Sequence, residues 1–516
     1  MSQSKSLSLP VAALLLLLLL LAAGVRVAGL KLGTPDFEPV RQYHSALIAR
    51  YLQHMGDDSL PTWERQIINS TVQPIHEPPV MESLAIAGYS LLGQEKLWIP
   101  RAFAALSWLC GGLILFFLLA RLFPPNAALV GAAFFLLAPY GIGQSLSFQP
   151  DALVLALGLA ACLSILNFHE DSSRRNLLKA AAWCAVAILI KTQIVFLIAG
   201  AYAGLGLRRG SLTRLVTHRE NWLFALIALV PGLLYVTANM IVGGILAQRG
   251  VIPGLLLEPG FYISWLYNLD RVIGFPLLLL ALLGTLLLRG YRLALTLGLW
   301  GGYLLFGMVF TFHFATHPYY HVAAFPAVAL GLTGLAVPAL GALTEQRALI
   351  RIPGVALLLV FLLVVTLAPT LRGFGKPGVD GRAEAYAEIG RLVNHSQRTL
   401  MLTEHQGFPL MYYAKITGDF WPTKWALAVM KGGLKSIASR KSQSGHSDED
   451  VVQRFAEYAT RKPEFFVITN KEELSPTLEN FLAERFPLLA ATEVYKIYDL
   501  RNPLTDRLST GSEIAR

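Results

Sequence analysis

Eleven apolar runs of 14 to 23 residues constrain the fold of this chain more than any other feature. A transmembrane helix needs about 20 predominantly apolar residues, and only helices and closed barrels bond all their backbone groups inside a bilayer. The runs are Leu7–Gly24, Leu97–Leu119, Ala127–Leu146, Ala152–Phe168, Leu177–Ile190, Ile194–Leu207, Trp222–Val242, Val272–Leu288, Leu293–Phe312, Val322–Leu343 and Val355–Leu371. We therefore predict a multi-pass α-helical membrane protein with about eleven transmembrane helices. Leu177–Ile190 and Ile194–Leu207 are the shortest runs, and one of the two could be re-entrant.

The composition agrees with a membrane-embedded chain. Hydrophobic residues make up 54% of the 516 residues and charged residues only 15%, whereas a soluble chain carries about 25% charged residues. This balance excludes a soluble enzyme, a disordered scaffold and a nucleic-acid-binding protein, although the net charge is +10 (43 − 33). The three cysteines all lie inside apolar runs, so they predict neither a disulfide framework nor a zinc site built from cysteines.

Loop charge predicts the orientation of the helices. We interpret Leu7–Gly24 as a retained helix rather than a signal peptide, because it is long and is followed by a poor cleavage site. With the N-terminus inside, every short inner loop is basic, as the positive-inside rule requires. The basic residues of these loops are Arg121, Arg174, Arg175, Lys179, Arg208, Arg209, Arg214, Arg289, Arg292, Arg347 and Arg351. An odd number of spans then places the loop 31–96 and the C-terminal region outside.

Charged residues return in the C-terminal region, from about residue 373 onward. Short β-like runs alternate there with helical stretches, which indicates a small α/β domain. The predicted strands are Thr399–Thr403, Phe465–Thr469 and Val494–Tyr498, and the predicted helices are Ala383–Val393, Pro409–Lys415 and Leu478–Phe486. We predict a membrane domain over residues 1–372, an α/β domain over 373–516 and a mobile loop at Ser436–Asp450.

Ionisable residues collect on the predicted outer side, where such groups are costly and usually functional. Asp36 and Glu38 follow the first helix and precede Pro39. One of them is either an N-terminal cap for a helix that starts at Pro39, or a general base at the water–lipid boundary. His76 and Glu77 precede Pro78 and Pro79, and this pair either binds a divalent metal such as Mg, Mn or Zn or consists of two solvated loop residues.

Further polar residues lie at the outer ends of other helices. Asp151 begins the fourth run, either as a cap or as a site residue. Lys191 and Arg101 are basic on the outer side, and Lys191 has no charged residue near it in sequence. Lys191 either extends to the membrane surface or contacts a lipid phosphate. His317 and Tyr320 belong to HPYYH, a polar stretch that could form a site or an interfacial aromatic anchor.

Taken in this order, the motifs resemble the GT-C superfamily of polyprenol-dependent glycosyltransferases, especially the protein mannosyltransferases and the lipid A aminoarabinose transferases. The similarity rests on DFEP, HEPPVMESLAIAGYSLLGQEKLWIPRAFAAL, QPDALVLALGLAA, ILIKTQIVFLIAG and HPYYHVAAFPAVAL. The ordered series covers about residues 1–370, and a trailing α/β domain is also common in that group.

The resemblance implies a role for each candidate residue. Asp36 would be the catalytic carboxylate, with Glu38 as the competing acid, because Phe37 separates two acids that are adjacent in many members of the group. The basic and aromatic residues implied at the donor phosphate are Lys191, Arg101 and Tyr320. The residues implied near a divalent metal or the phosphate are His76, Glu77, Asp151 and His317. Family members often carry Lys or His where this chain has Glu77.

The implied reaction moves a sugar from a polyprenyl-phosphate donor to a hydroxyl of a lipid, glycan or protein acceptor. A carboxylate takes the hydroxyl proton, and a cation or metal stabilises the departing lipid phosphate. The alternative is a transporter or flippase, which usually shows internal repeats and a site near the midplane; no duplicated half is visible here. We expect a bacterial inner membrane protein with its site and C-terminus on the periplasmic side, with the endoplasmic reticulum as the alternative.

Overall fold

The computed structural model describes residues 7–32, 37–243, 250–344, 364, 367–368, 370–374, 378–423, 426–427 and 451–504. Most of the predicted run Val355–Leu371 and all of the predicted loop Ser436–Asp450 lie outside these residues. The described residues form two compact units. The membrane unit contains those of 1–37 and 74–376, and the sheet unit contains those of 38–73 and of the chain from 377 onward.

Helices make up most of the membrane unit, and two further helices, α2 and α3, belong to the sheet unit. The helices up to residue 344 are α1 (Leu9–Leu32), α2 (Pro39–His54), α3 (Thr62–Thr71), α4 (Val80–Leu92), α5 (Trp98–Leu122), α6 (Pro125–Leu137), α7 (Pro139–Ser145), α8 (Asp151–Glu170), α9 (Arg174–Ile190), α10 (Val195–Arg209), α11 (Leu212–Thr217), α12 (Arg219–Gly243), α13 (Pro259–Val272), α14 (Phe275–Leu286), α15 (Gly290–Val309), α16 (Thr311–Thr316) and α17 (Phe325–Thr344).

Six helical stretches among the described residues are long and apolar enough to cross a membrane, and eight if two bent pairs each count as one span. The six are α1, α5, α8, α12, α15 and Pro318–Ala342. The prediction of a multi-pass helical membrane protein is therefore confirmed, whereas the described part of the chain does not reproduce the count of eleven. Part of the difference comes from α9 and α10, which are separate helices too short to be counted as spans.

Two predicted spans are broken by proline or glycine. The run Ala127–Leu146 forms α6 and α7, which meet at 58° where Pro139 has no N–H to donate. The run Val272–Leu288 does not begin a helix at Val272. Instead α13 ends there, Gly274 adopts a φ of +86°, and α14 leaves at 94°. Residues 259–271, which lie before this predicted span, are helical as well.

Close packing of α10 against α15 shapes the interior of the membrane unit. A Cβ on Gly298 of α15 would lie 2.2 Å from the carbonyl oxygen of Gly200 on α10. Only glycine at this position permits such a short distance between the two backbones. The same pair of helices stacks Phe306 on Phe196, with ring centroids 5.3 Å apart. Phe306 therefore lies beside the start of α10, where the candidate site is found.

The sheet unit contains a five-stranded sheet of order β2-β1-β3-β5-β4. Its elements are α18 (Ala383–Leu392), β1 (Thr399–Leu402), α19 (Phe408–Ala414), β2 (Gly418–Phe420), α20 (Val451–Ala459), β3 (Phe465–Ile468), α21 (Pro476–Arg485), β4 (Leu488–Ala491) and β5 (Lys496–Asp499). β1 pairs in parallel with β2 and β3, while β5 is antiparallel to β3 and β4. The predicted small α/β domain is confirmed.

Residues 38–73 fold with this sheet through α2. The ring of Tyr43 on α2 packs edge-on against Tyr412 and Tyr413 of α19. Arg50 of α2 donates to the carbonyl oxygen of Tyr412 at 2.7 Å and lies over the ring of the same tyrosine. These contacts join a segment of the first predicted outer loop to the sheet unit.

Candidate functional site

Lys191 lies at a break between two helices of the membrane unit. Its backbone is extended, with a φ of −150°, and its N–H closes the last turn of α9 on the carbonyl oxygen of Ala187. A single 3₁₀ turn, Thr192–Ile194, then leads into α10. The sequence IKTQIV contains neither proline nor glycine, so the usual local causes of a helix break are absent here. The contacts of the Lys191 side chain are therefore of interest.

Two carboxylates from distant parts of the chain converge on Lys191. Its Nζ donates to Oδ1 of Asp151 at 3.0 Å, and Oε1 of Glu77 lies 3.8 Å away. The Lys191 side chain is 7% exposed, the Asp151 side chain 16% and the Glu77 side chain 31%. Lys191 therefore forms a largely buried ion pair and does not extend to the membrane surface. Its partners are 40 and 114 residues away in sequence, which is why the local sequence showed none.

The position of Asp151 decides between its two predicted roles, a helix cap and a site residue. Asp151 is the first residue of α8, Pro150 holds the N-cap position, and no side chain caps the helix. The carboxylate bonds to Lys191 instead, although its position in the first turn also favours a negative charge. Asp151 is therefore a member of a charged cluster, which we call the Lys191 cluster: Lys191, Asp151 and Glu77.

A pocket opens beside the Lys191 cluster. Its polar wall is formed by Asp151, Lys191, Gln193 and the two tyrosines of HPYYH. Its apolar wall is formed by Val154, Leu155, Ile194, Leu197, Phe306, Val322 and Ala323. The pocket thus combines a charged end with an aliphatic and aromatic wall, which suits a ligand with a polar head and an apolar chain.

Tyr320 links the cluster to the histidines of the next segment. The Lys191 ammonium lies 5.8 Å from the centroid of the Tyr320 ring, within range of a cation–π interaction. The same ring stacks in parallel on the His313 ring, with centroids 5.0 Å apart. His317 is the C-cap residue of α16, and its Nδ1 lies 2.7 Å from the hydroxyl of Thr316. The His317 ring contacts the rings of His313 and Tyr320.

His321, the last residue of HPYYH, has a structural role. The Trp265 indole donates to the Tyr303 hydroxyl at 2.7 Å, and that hydroxyl lies 2.7 Å from His321 Nδ1. Since a carbonyl oxygen only accepts, His321 Nε2 carries a proton and donates to the carbonyl oxygen of Phe314 at 3.0 Å, and Nδ1 of the neutral ring accepts from the Tyr303 hydroxyl. This chain of bonds fixes one neutral tautomer of a fully buried histidine.

His76 and Arg101 are two further predicted site residues. The carbonyl oxygen of His76 accepts from the Asn239 amide at 3.2 Å, which ties the segment before α4 to α12. Arg101 is half-buried in the first turn of α5 and is not among the described residues that line the pocket. Within the described ranges, no three His, Cys, Asp or Glu side chains are grouped so that they could hold a metal ion.

Asp36 lies outside the described residues, and Glu38 belongs to the sheet unit. Glu38 occupies the N-cap position of α2 and Pro39 the first helical position, as the capping interpretation required. The Glu38 side chain makes no capping hydrogen bond, however, and its φ of +49° is left-handed. A non-glycine residue held in that region is strained and is often found at functional sites.

Sequence reasoning missed two parts of the pocket. Gln193 stands two residues after Lys191 in an otherwise apolar stretch, and that polarity was a usable signal. Phe306 lies in the middle of an apolar run, and nothing in its neighbourhood distinguishes it from lipid-facing residues. Only the packing of α15 on α10 brings it to the pocket.

Residues 76–236 match the family of dolichyl-phosphate-mannose-protein mannosyltransferases. This segment contains Glu77, Asp151 and Lys191, so the whole Lys191 cluster lies inside the match. Among curated protein sequences, none matches the chain significantly.

Solved structures show which fold the chain adopts. ArnT from Cupriavidus metallidurans in the apo state is 16% identical, with a TM-score of 0.56 over 94% of this chain and 97% of that chain. The same values hold for ArnT bound to undecaprenyl phosphate. The archaeal oligosaccharyltransferase AglB from Archaeoglobus fulgidus, in complex with an inhibitory peptide and a dolichol-phosphate, is 13% identical, with a TM-score of 0.51 over 92% of this chain and 72% of that chain.

The chain therefore has the fold of ArnT. The resemblance to the GT-C superfamily, which we drew from the sequence motifs, is confirmed by this shared fold and by the family match over residues 76–236. The family matched by residues 76–236 is one of mannosyltransferases, not of transporters or flippases.

Proposed function

We propose that this protein is an integral membrane glycosyltransferase that moves a sugar from a polyprenyl-phosphate donor to an acceptor hydroxyl. The observation that carries the proposal is the Lys191 cluster beside an apolar and aromatic pocket, in a fold shared with an ArnT that binds undecaprenyl phosphate. The acceptor is a lipid, a glycan or a protein. The site and the sheet unit lie on the periplasmic side of a bacterial inner membrane, as the basic inner loops predict.

Lys191 binds the lipid phosphate in this proposal. An ammonium group has three N–H donors, and among the described residues only Asp151 accepts a hydrogen bond from it. Asp151 and Glu77 hold the Lys191 side chain in place, while a remaining N–H is available to a phosphate oxygen. The charge that develops on the leaving phosphate is then stabilised by a group that is already oriented. Arg101 supplies a second positive charge, and the apolar wall takes the start of the polyprenyl chain.

The general base is Asp36, with Glu38 as the competing acid. Either carboxylate can take the proton of the acceptor hydroxyl as it attacks the sugar. The restricted backbone between Pro35 and Pro39 supports a fixed position for the base.

Whether transfer needs a divalent metal ion is a separate question with its own test. The residues proposed near it are His76, Glu77, Asp151 and His317. Of these, Glu77 and Asp151 converge, but on the Lys191 ammonium, so a metal ion held by both would have to displace Lys191. The residues as arranged do not fit a metal site, and we derive no step through one. Transfer measured after treatment with a chelator, and again after adding back Mg²⁺, Mn²⁺ or Zn²⁺, decides the point.

Lipid analysis and binding test the proposal together. A strain that lacks the gene should accumulate polyprenyl phosphate that carries a sugar. Purified Lys191→Ala should bind undecaprenyl phosphate about ten- to a hundredfold more weakly, because a charge-assisted bond contributes roughly 1.5–3 kcal/mol. Lys179→Ala, at an exposed lysine of α9, the helix that ends just before Lys191, is the matched control and should bind normally. No accumulation, together with wild-type binding by Lys191→Ala, would refute the proposal.

A further inference from the structure

Gln193 is a polar residue of the pocket for which the proposed mechanism has no use. It lies in the 3₁₀ turn Thr192–Ile194 that joins α9 to α10, two residues after Lys191. Its side chain lines the same pocket as Lys191, Tyr320 and Phe306. The neighbouring Thr192 belongs to the same turn but is not among the described residues that line the pocket.

The carboxamide oxygen of Gln193 is buried without a hydrogen-bond partner. Oε1 of Gln193 is shielded from solvent and bonds to no described residue. Buried acceptors are normally paired, and one that is left unpaired in a protein calls for an explanation. A leucine or methionine could line the same apolar wall without this penalty, so packing of α9 and α10 does not account for a glutamine here.

We propose that Gln193 is a specificity-determining residue that hydrogen-bonds a hydroxyl of a glycosyl ring in the pocket. A carboxamide both accepts and donates, as a hydroxyl does, so the two groups pair in either orientation of the amide. Lys191 would hold the phosphate, and Gln193 would contact the ring attached to it or the ring about to be attached. A site built to bond a hydroxyl discriminates strongly against a ligand that lacks it, because its buried polar group is then left unpaired.

This inference rests on the proposed function, and its ligand has two sources: the donor sugar or a sugar of the acceptor. The first experiment addresses the donor. Purified protein is incubated with a lipid extract of the strain that lacks the gene, and native mass spectrometry measures the ratio of sugar-loaded to bare polyprenyl phosphate bound. Wild type should prefer the loaded lipid, and Gln193→Met, which keeps the size but removes the amide, should lower that preference at least tenfold.

The second experiment addresses the acceptor. It is a transfer assay that uses the same extract as the source of donor. If the hydroxyl that Gln193 bonds belongs to the acceptor, Gln193→Met should have an acceptor KM about tenfold higher than wild type and an unchanged lipid ratio. Thr192→Val is the control for the turn and should match wild type in both assays. Binding of bare undecaprenyl phosphate should be equal in wild type, Gln193→Met and Thr192→Val, which shows that the variants are folded and that Lys191 is intact.

The outcomes separate this inference from the proposed function. If Gln193→Met matches wild type in lipid ratio and acceptor KM, Gln193 is only hydrated by water and the inference is wrong, while the proposed function stands. If Gln193→Met loses bare undecaprenyl phosphate as well, it acts on the phosphate or on folding, and the inference is again wrong. If wild type itself binds neither lipid, the proposed function fails and the inference with it.

Discussion

At the scale of single residues, the Lys191 cluster has an unusual charge balance. Two carboxylates surround one ammonium group, so the three side chains carry one net negative charge if all are ionised. A lipid phosphate can approach Lys191 only by sharing it with Asp151, whose hydrogen bond of 3.0 Å is already formed. Such an arrangement positions a cation firmly but reduces its attraction for an anion, which in the proposed reaction would favour release of the lipid phosphate after transfer.

A double substitution separates the structural role of the ion pair from its chemical role. Lys191→Met leaves Asp151 largely buried without its partner, and breaking a buried pair from one side costs roughly 3 kcal/mol or more. We expect a clear loss of thermal stability in detergent for Lys191→Met. Most of it should return in Lys191→Met combined with Asp151→Leu, because neither charge of the pair remains. Transfer should be lost in both proteins.

The control for this pair is Arg121 with Glu170, an ion pair of which both members are about one-third exposed. Exposed pairs contribute at most about 1 kcal/mol, so Arg121→Met should barely change the unfolding temperature. If transfer recovers together with stability in the variant that combines Lys191→Met with Asp151→Leu, the ion pair of Lys191 and Asp151 has a purely structural role.

The choice of base between Asp36 and Glu38 is also a question about single residues. Asp36→Asn keeps size and capping ability, since Asn and Asp cap about equally, but it cannot accept a proton. We expect Asp36→Asn to abolish transfer in a purified assay while undecaprenyl phosphate still binds. Glu38→Gln is a fair control because it retains the left-handed backbone and loses only the charge. Full activity in Asp36→Asn with loss in Glu38→Gln would move the base to Glu38.

At the scale of elements, the sequence predicted helices and strands well where the pattern of apolar residues within one short segment defines the element. Helix α18 and strands β1 and β3 each begin where the sequence analysis placed them and end one residue earlier. The strands β2 and β4 were missed because they are short and largely unburied. The bend between α13 and α14 was missed because the apolar run continues past it, although Gly274 and Pro276 mark the place.

The buried bonds of Trp265, Tyr303 and His321 join α13, α15 and the turn Pro318–Ala324, and they give a prediction about these elements. Tyr303→Phe removes the one hydroxyl between the indole and the imidazole, so Trp265 Nε1 and His321 Nδ1 both lose a partner in the interior. Each unpaired buried group costs about 1–3 kcal/mol. The unfolding temperature in detergent should fall markedly.

Tyr262→Phe is the matched control. Tyr262 lies on α13 as well, is 46% exposed, and donates only to the carbonyl oxygen of Leu256. Its removal should have a small effect, because water can replace the lost bond. Equal losses in the two variants would contradict the account of a closed, fully bonded chain.

At the scale of the whole molecule, sequence reasoning reached the fold class and the small α/β domain but not the residues that meet at the site. Lys191, Asp151 and Glu77 each stood out because charge is costly in an apolar chain. These three residues meet because α8, α9 and the segment before α4 pack together. The periodicity of apolar residues in one sequence carries no information on that packing. Gln193 was visible as a polar residue, yet its importance appears only when its unpaired oxygen is seen in the pocket.

The last prediction concerns the orientation of the whole chain, on which the outer location of the site depends. Basic loops at Arg121, at Arg174 and Arg175, and at Arg289 and Arg292 predict an inside N-terminus, and eleven spans predict an outside C-terminus. Alkaline phosphatase fused after Arg516 should then be active, and a fluorescent protein that matures only in the cytoplasm should be dark there. Fusions after Ser172, between α8 and α9, should give the reverse pattern, since that loop is basic. A fluorescent, phosphatase-inactive fusion at Arg516 with the expected pattern at Ser172 would mean an even number of spans. The sheet unit would then be cytoplasmic, and an outer catalytic role for Glu38, which folds with that unit, would have to be abandoned.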